Sequence, residues 1–493
     1  MKTRTCQEFL SQRVEYPNRE TIERIGAENA LDLFRLAARD VPAYRHFLQS
    51  HGVDSTKIDR AALLSTVPVT NKKNYIEQYP LSERCWGGDV AVSHAIAASS
   101  GSTGTPLFWP RCIDQEFDGA LIHERIFRDV FDVHMVKSTL FVNAFALGNW
   151  IAGMYTQHCV HLLQLRGLRI CLASPGFSED ETLNVLRNFA PQFEQTIVAG
   201  HPPVLRMLLH AAKDRQWPIQ QWNLRFLGAG EGVSESFRDS VLGLAGAVDP
   251  LRSFINIYGS ADAGLMGFET PLSIACTRLL EQRPCLGQDL LSCSRPACVY
   301  QFDPRVKYLE VQQDSIVVSA DAAMPLLRYD ILDQGELLNW DAISAMGGTQ
   351  LSSIMSAHRV SSAQWELPLV AIYGRRDIAV SLYAINLYPE NFKRALEEQS
   401  LSTELTGRFA ARKELLENHR DQLVLDVELR PGVVASGQLA QRIAAIVVSA
   451  LKAVNGEYRR AYENLGVLLN PVVVLKPYQD PILFPPGKTK KLS

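Results

Sequence analysis

Between residues 115 and 260 the chain alternates helical stretches with short apolar runs, and no other feature restricts its fold so tightly. The helical stretches are 115–128, 150–159, 180–188, 204–213 and 234–244, and the apolar runs are 140–142, 169–172, 196–199, 224–227 and 254–258. Short apolar strands joined by helices run largely parallel and are buried on both faces. The pattern therefore predicts α/β architecture, with ligands beyond the strand ends where loops gather. Several runs end in loop-forming residues: Asn143-Ala144, Gly200-His201-Pro202, Gly228-Ala229-Gly230-Glu231 and Gly259-Ser260.

The flanks read differently. Residues 1–80 are helix-rich, with apolar residues at helical spacing over 27–37 and a stop at Val41-Pro42. Residues 271–300 look irregular, and 301–345 look β-rich. After Tyr373-Gly374-Arg375-Arg376-Asp377 the pattern changes again. Helices are expected at 387–396 and 438–454, and strands at 422–429 and 472–475. The economical division is a large N-terminal α/β domain with several sheets over 1–373 and a small α+β C-terminal domain over 374–493.

At 493 residues the chain exceeds one simple domain, since a domain takes about 100–200. Its 46% hydrophobic and 21% charged content is that of an ordinary globular protein. A formal charge of −3 gives no reason to expect nucleic acid or an acidic membrane as partner. Nine cysteines, an odd number and scattered, read as reduced thiols. The N-terminus has no apolar signal core, and no run approaches the roughly 18 apolar residues of a membrane span. The cytoplasm is the expected location. Cys276, Cys285, Cys293 and Cys298 fall in the irregular stretch, where only the last pair approaches zinc-ligand spacing, so packed thiols are the simpler reading.

Chemistry is concentrated first in Ser99-Ser100-Gly101-Ser102-Thr103-Gly104-Thr105-Pro106. Glycines let the backbone approach a ligand closely, and hydroxyls with exposed N–H groups supply neutral donors to an anion. Such a loop suits a polyphosphate that must be gripped and released. It is not a Walker loop, because Thr105-Pro106 stands where Lys-Ser would be needed.

Taken in order, five further motifs join this loop: GAGEGVSE at 228–235, YGSAD at 258–262, LLRYDILDQGEL at 326–337, YGRRD at 373–377 and PPGKTKK at 485–491. Together they resemble the adenylate-forming enzymes of the acyl-CoA synthetase superfamily, and the phenylacetate–CoA ligase branch in particular. The resemblance runs from about residue 60 to the C-terminus. It implies a two-step reaction in which a carboxylate and ATP give an acyl-adenylate and pyrophosphate, and a nucleophile then takes the acyl group. It also implies that the C-terminal domain is mobile and swings about a hinge at Asp377.

The roles implied by this resemblance fall on particular residues. Ser99, Ser100, Gly101, Ser102, Gly104 and Thr105 hold the β- and γ-phosphates, and Thr103 and Lys488 are catalytic. Lys488 bridges the carboxylate and the α-phosphate as a mobile charge. Gly228, Ala229, Gly230 and Glu231 line the adenine, Tyr258 offers it a ring face, and Gly259 and Ser260 continue that turn. Asp333 takes the ribose hydroxyls, Arg375 adds a contact to the nucleotide, and Asp262 stands where the family has a Glu that holds Mg2+. The acyl pocket is expected from Asn143, Phe145, Trp150, Gly200, His201 and Ala261, whose aromatic lining suits an aromatic or hydrophobic acid.

Departures from the family pattern bear on the second step. The usual loop lysine is Thr105, so Mg2+ and Lys488 must offset more phosphate charge. Residues 271–298 look like an insertion, and Ala384 replaces a glycine that lets the pantetheine arm approach. CoA is the acceptor this reading favours, with a carrier protein or an amine as alternatives. A catalytically silent nucleotide-binding relative is the reading from another class. A homodimer is possible in any of them.

Overall fold

A computed structural model describes residues 4–99, 107–247, 249–283, 296–339, 366–376, 380–382, 385–416 and 421–485, with scattered positions between 291 and 356. Strands β1 (Ala95–Ser99) and β2 (Leu107–Arg111) pair antiparallel. Strands β3 (Thr139–Asn143), β4 (Ile170–Ala173), β5 (Gln195–Gly200), β6 (Leu224–Ala229) and β7 (Phe254–Ser260) are the five apolar runs of the alternating segment. They continue into β8 (Gly264–Phe268), β9 (Cys298–Gln301), β10 (Tyr308–Gln312), β11 (Ser315–Ala320), β12 (Leu326–Leu338) and β13 (Leu369–Arg375). All eleven form one sheet in the order β10-β11-β12-β13-β9-β8-β7-β6-β5-β3-β4.

The sheet is parallel only from β4 to β7. From β7 to β10 every pair is antiparallel, so the parallel arrangement expected of the alternating segment holds for β3 to β7 and stops where that segment ends. The reason is connectivity. Short turns join β7 to β8, β10 to β11 and β11 to β12, and short turns between neighbours make antiparallel pairs, whereas β8 reaches β9 through helix Pro271–Gln282.

Alternation along the parallel strands explains why they are buried on both sides. Phe141, Ile197, Leu227 and Ile255 face one core, together with helices Ile113–Arg125 and Ile151–Leu165. Leu140, Val142, Val198 and Phe226 face another, together with helices Pro202–Asp214 and Glu235–Ala245. Successive side chains of a strand point to opposite faces, so a run of unbroken apolar residues requires a layer on each.

Residues 271–300 are not irregular throughout. Pro271–Gln282 is a helix capped by Thr270, whose side chain accepts from Ser273 N and donates to Gln301 Oε1 at 2.6 Å. Ser273, Ala275 and Thr277 are buried alongside Leu272, Ile274 and Leu279, so the helix is enclosed on most sides and shows no polar face to read.

The C-terminal part has a core of its own. Strands β14 (Val380–Leu382) and β15 (Ile385–Leu387) form a hairpin, and β16 (Leu405–Leu415), β17 (Asp421–Leu429) and β18 (Val472–Lys476) form a three-stranded sheet. Helix Gly437–Val454 lays Leu439, Ile443, Val447 and Leu451 into this core at helical spacing. That helix also meets, by length and composition alone, the requirement for a membrane span, which the sequence reading did not foresee.

Candidate active site

The register sets where loops collect. Asn143 pairs with Ala199, Gly200 with Gly228 and Ala229 with Ile257, so β3, β5, β6 and β7 release their C-terminal loops along one edge. Gly200 is followed by His201, the N-cap of helix Pro202–Asp214. Gly230 has φ +98°, a backbone conformation open to glycine, and a Cβ there would lie 3.0 Å from the His201 ring. The loops after β5 and β6 therefore pack face to face.

A buried amide holds the second loop in place. Asn256 Nδ2 donates to the Glu231 carbonyl at 2.8 Å and to Tyr300 Oη at 3.2 Å, and its own backbone N–H donates to Glu269 Oε2 at 2.7 Å. Asn256 and Glu269 are fully buried. Glu269 pairs with Arg238 at 2.7 Å, and burial pushes its carboxyl up to about 7 despite that partner. Apart from Glu231, none of these residues was read as functional from sequence. The available signal was Asn256, an amide in the middle of the apolar run 254–258.

Three expected residues meet across β7, β12 and β13. The Tyr258 hydroxyl donates to Asp333 Oδ2 at 2.9 Å, and Arg375 Nη1 lies 3.4 Å from Asp333 Oδ1. Asp333 and Arg375 are direct register partners. Burial raises the Tyr258 hydroxyl well above its ordinary range, and the Asp333 charge adds to that. The Tyr258 ring is stacked on Tyr300 with centroids 5.4 Å apart, so one of its faces is already covered.

Asp262 sits in the turn between β7 and β8. Its Oδ2 accepts from Tyr329 Oη at 2.9 Å and lies 3.9 Å from Lys72 Nζ. Lys72 arrives from the N-terminal segment because Thr70 docks on β12. The Thr70 N–H donates to Arg328 O at 3.0 Å, Asp330 N donates to Thr70 O at 2.8 Å, and Thr70 Oγ1 donates to Leu327 O at 2.9 Å. Sequence reasoning missed both Lys72 and Tyr329 as neighbours of this carboxylate. One hard carboxylate at a strand end fits Mg2+, which commonly takes one or two carboxylates and fills its shell with phosphate oxygens and water.

The expected acyl-pocket residues lie along the same edge. Asn143 is buried and uses its amide on the backbone: Nδ2 donates to Gly153 O at 3.0 Å and Oδ1 accepts from Phe145 N at 3.3 Å. Phe145 is buried in the core, Trp150 bridges Ala98 on β1, and Ala261 packs partly buried in the β7–β8 turn. Ser260 Oγ closes that turn by accepting from Ala263 N at 3.1 Å.

A cleft of about 690 Å3 runs from this edge to the C-terminal part. His201, Gly230, Glu231, Tyr258, Gly259, Asp333 and Arg375 line one wall, and Lys393, Arg408, Arg412 and Lys413 line the other. Lys393 Nζ is 3.2 Å from Glu231 Oε1 and also donates to the Gly232 carbonyl. Burial works against the charge on Lys393, but Glu231 and Glu397 more than offset it.

No family model and no curated protein matches the sequence of this chain. Solved structures do match. A 2-hydroxyisobutyryl-CoA ligase in the postadenylation state, in complex with an acyl-AMP, aligns with a TM-score of 0.69 and 14% identity over 98% of this chain and 91% of that one. The chain has the fold of the adenylate-forming acyl-CoA ligases. The same ligase in its thioesterification state gives 0.56 at 15% identity, over 98% and 90% of the two chains. The anthranilate CoA ligase AuaEII in complex with anthranoyl-AMP gives 0.50 at 12% identity, over 80% and 65%.

Within this acyl-CoA-ligase fold, Gly228 to Glu231, Tyr258 to Ser260, Asp262, Asp333 and Arg375 gather at one edge of the sheet. Ser99 ends β1 at the base of the hydroxyl-rich loop. Ser100, Gly101, Ser102, Thr103, Gly104 and Thr105, the hinge Asp377, Ala384, Cys285, Cys293 and Lys488 lie outside the described residues.

Proposed function

We propose that the protein is an AMP-forming acid–thiol ligase of the phenylacetate–CoA ligase type. A carboxylate oxygen attacks the α-phosphorus of ATP and pyrophosphate leaves. A thiol sulfur then attacks the acyl carbon and AMP leaves. The observation that carries this reading is the Tyr258–Asp333–Arg375 constellation on the wall of a cleft whose other wall comes from the C-terminal part. A carboxylate beside a guanidinium offers a ribose hydroxyl an acceptor and a phosphate a donor in one place.

In this reading Asp262 holds Mg2+, which would neutralise charge on the phosphates. Lys72, 3.9 Å from Asp262, supplies the cation that the loop lacks at Thr105. Residues 1–373 and 374–493 are the two working units, and the smaller carries Lys488 to the phosphates by turning about Asp377. The acid is aromatic or hydrophobic, because Phe145 and Trp150 belong to the loop next to the one bearing His201. CoA as acceptor is supported by Arg408, Arg412 and Lys413, which give the cleft a cationic wall suited to a phosphate-bearing thiol.

The test is to incubate the protein with ATP, Mg2+, CoA and a panel of carboxylic acids, and to identify products by mass spectrometry. Acyl-AMP together with an acyl thioester supports the proposal. Acyl-AMP captured only by added amines would reassign the second step, and no acyl-AMP from any acid would refute the reading.

A further inference from the structure

Away from the cleft, at the other end of the β1–β2 hairpin, three side chains from separate elements converge. His94 precedes β1, Glu116 stands on helix Ile113–Arg125 and His158 on helix Ile151–Leu165. One ligand atom from each lies within 4.8 Å of the others, and this is the one such group found among the described residues. His94 Nδ1 is 2.9 Å from the Arg111 carbonyl. A carbonyl can only accept, so Nδ1 carries the proton and the Nε2 of the neutral ring turns its lone pair toward Glu116 Oε1, 3.9 Å away. His158 Nδ1 faces Glu116 Oε2 at 3.7 Å.

Glu116 is 1% exposed, and its Oε2 accepts no hydrogen bond although it is sealed from water. Its Oε1 is fixed by Arg111 Nε at 2.8 Å. A buried carboxylate oxygen without a donor is costly. Separations of 3.7 and 3.9 Å are too wide for hydrogen bonds. They are a few tenths of an ångström wider than the roughly 3.4 Å that tetrahedral bonds of about 2.0–2.1 Å to zinc set between ligand atoms, a difference that small rotations of the two imidazoles close. The surroundings match a metal site as well. The Arg111 carbonyl orients one histidine and the Arg111 guanidinium orients the carboxylate, which is how outer partners fix ligands.

We propose that His94, Glu116 and His158 bind a transition-metal dication of the zinc class, with water completing the shell. Two imidazoles and one carboxylate are a zinc donor set and a poor one for Mg2+. The ion ties the base of the β1–β2 hairpin to the two helices beneath it. Helix Ile151–Leu165 begins at Trp150, which bridges Ala98 on β1, so the ion adds a second tie between that helix and the β1–β2 hairpin. This inference is independent of the reaction proposed for the cleft.

The test uses the full-length chain stripped with a chelator and titrated with Zn2+ against a chromophoric competitor, in excess Mg2+. Co2+ is added separately and its visible spectrum recorded. His94→Gln and His158→Gln alter partly exposed side chains and leave the buried Arg111–Glu116 pair intact. One equivalent of Zn2+ per chain is expected. Each variant should lose affinity by more than the roughly 10- to 100-fold that follows loss of an outer partner. Bound Co2+ should show ligand-field bands without thiolate charge transfer. Absence of Zn2+ uptake, uptake unchanged in both variants, or a thiolate band would overturn the proposal.

Discussion

Asp333 is where residue-scale chemistry converges, because one carboxylate serves both the Tyr258 hydroxyl and the Arg375 guanidinium. A hydrogen bond to a charged group contributes about 1.5–3 kcal/mol, so Tyr258→Phe should raise the KM for ATP about tenfold or more through loss of Asp333 positioning. Steady-state kinetics with unchanged circular dichroism would check it, and an unaltered KM would remove Tyr258 from nucleotide binding. Lys72→Met should slow pyrophosphate exchange about tenfold or more while Lys72→Arg retains most of it, as expected for a fixed charge near the phosphates. Gly230, Glu231, Tyr258, Asp333 and Arg375 were singled out through the motifs that carry the family resemblance. Lys72 was not. Its place beside Asp262 depends on Thr70 docking against a strand more than 250 positions later, and no local pattern encodes that.

At the scale of elements, a charged core beneath β7 keeps the loop after β6 in place. Arg238 is fully buried and joins Glu235 on its own helix, the Phe254 carbonyl on β7 and Glu269 at the end of β8. Removing one member of such a group strands the others without a partner, which costs about 3–5 kcal/mol. Arg238→Met should lower unfolding stability by that amount in a denaturant titration, and a loss below about 1 kcal/mol would mean that Glu235 and Glu269 are compensated elsewhere. The five parallel strands and their helices were legible because amphipathic and apolar periods alternate cleanly. Helix Pro271–Gln282 was not legible, since enclosure on most sides leaves no polar stripe to mark the period. The antiparallel half was legible as β-rich but not as part of the same sheet, because strand order is a long-range property.

For the whole molecule, the contact between the C-terminal part and the loop after β6 depends on protonation. Glu397 is buried where Ser234 donates to it and Lys393 lies 3.8 Å away, and burial pushes its carboxyl from 4.5 up to about 7. A carboxyl raised in the folded form binds its proton more tightly there than when exposed. The stability it contributes is therefore present below about pH 4.5 and declines as pH rises toward 7. Wild type should lose stability relative to Glu397→Gln between pH 5 and 7.5 in parallel thermal melts, whereas parallel curves would show that the carboxyl titrates normally. The residues after β13 share a core of their own, since a second set of helix and strand periods needs its own interior. The account as a whole rests on adenylation in the cleft, and isotope exchange between pyrophosphate and ATP measures that step without the acceptor. Exchange should depend on a hydrophobic or aromatic carboxylic acid and on Mg2+, and should fall at least 100-fold in Asp333→Ala with the fold intact. Exchange absent with every acid, or undiminished in that variant, would contradict the account.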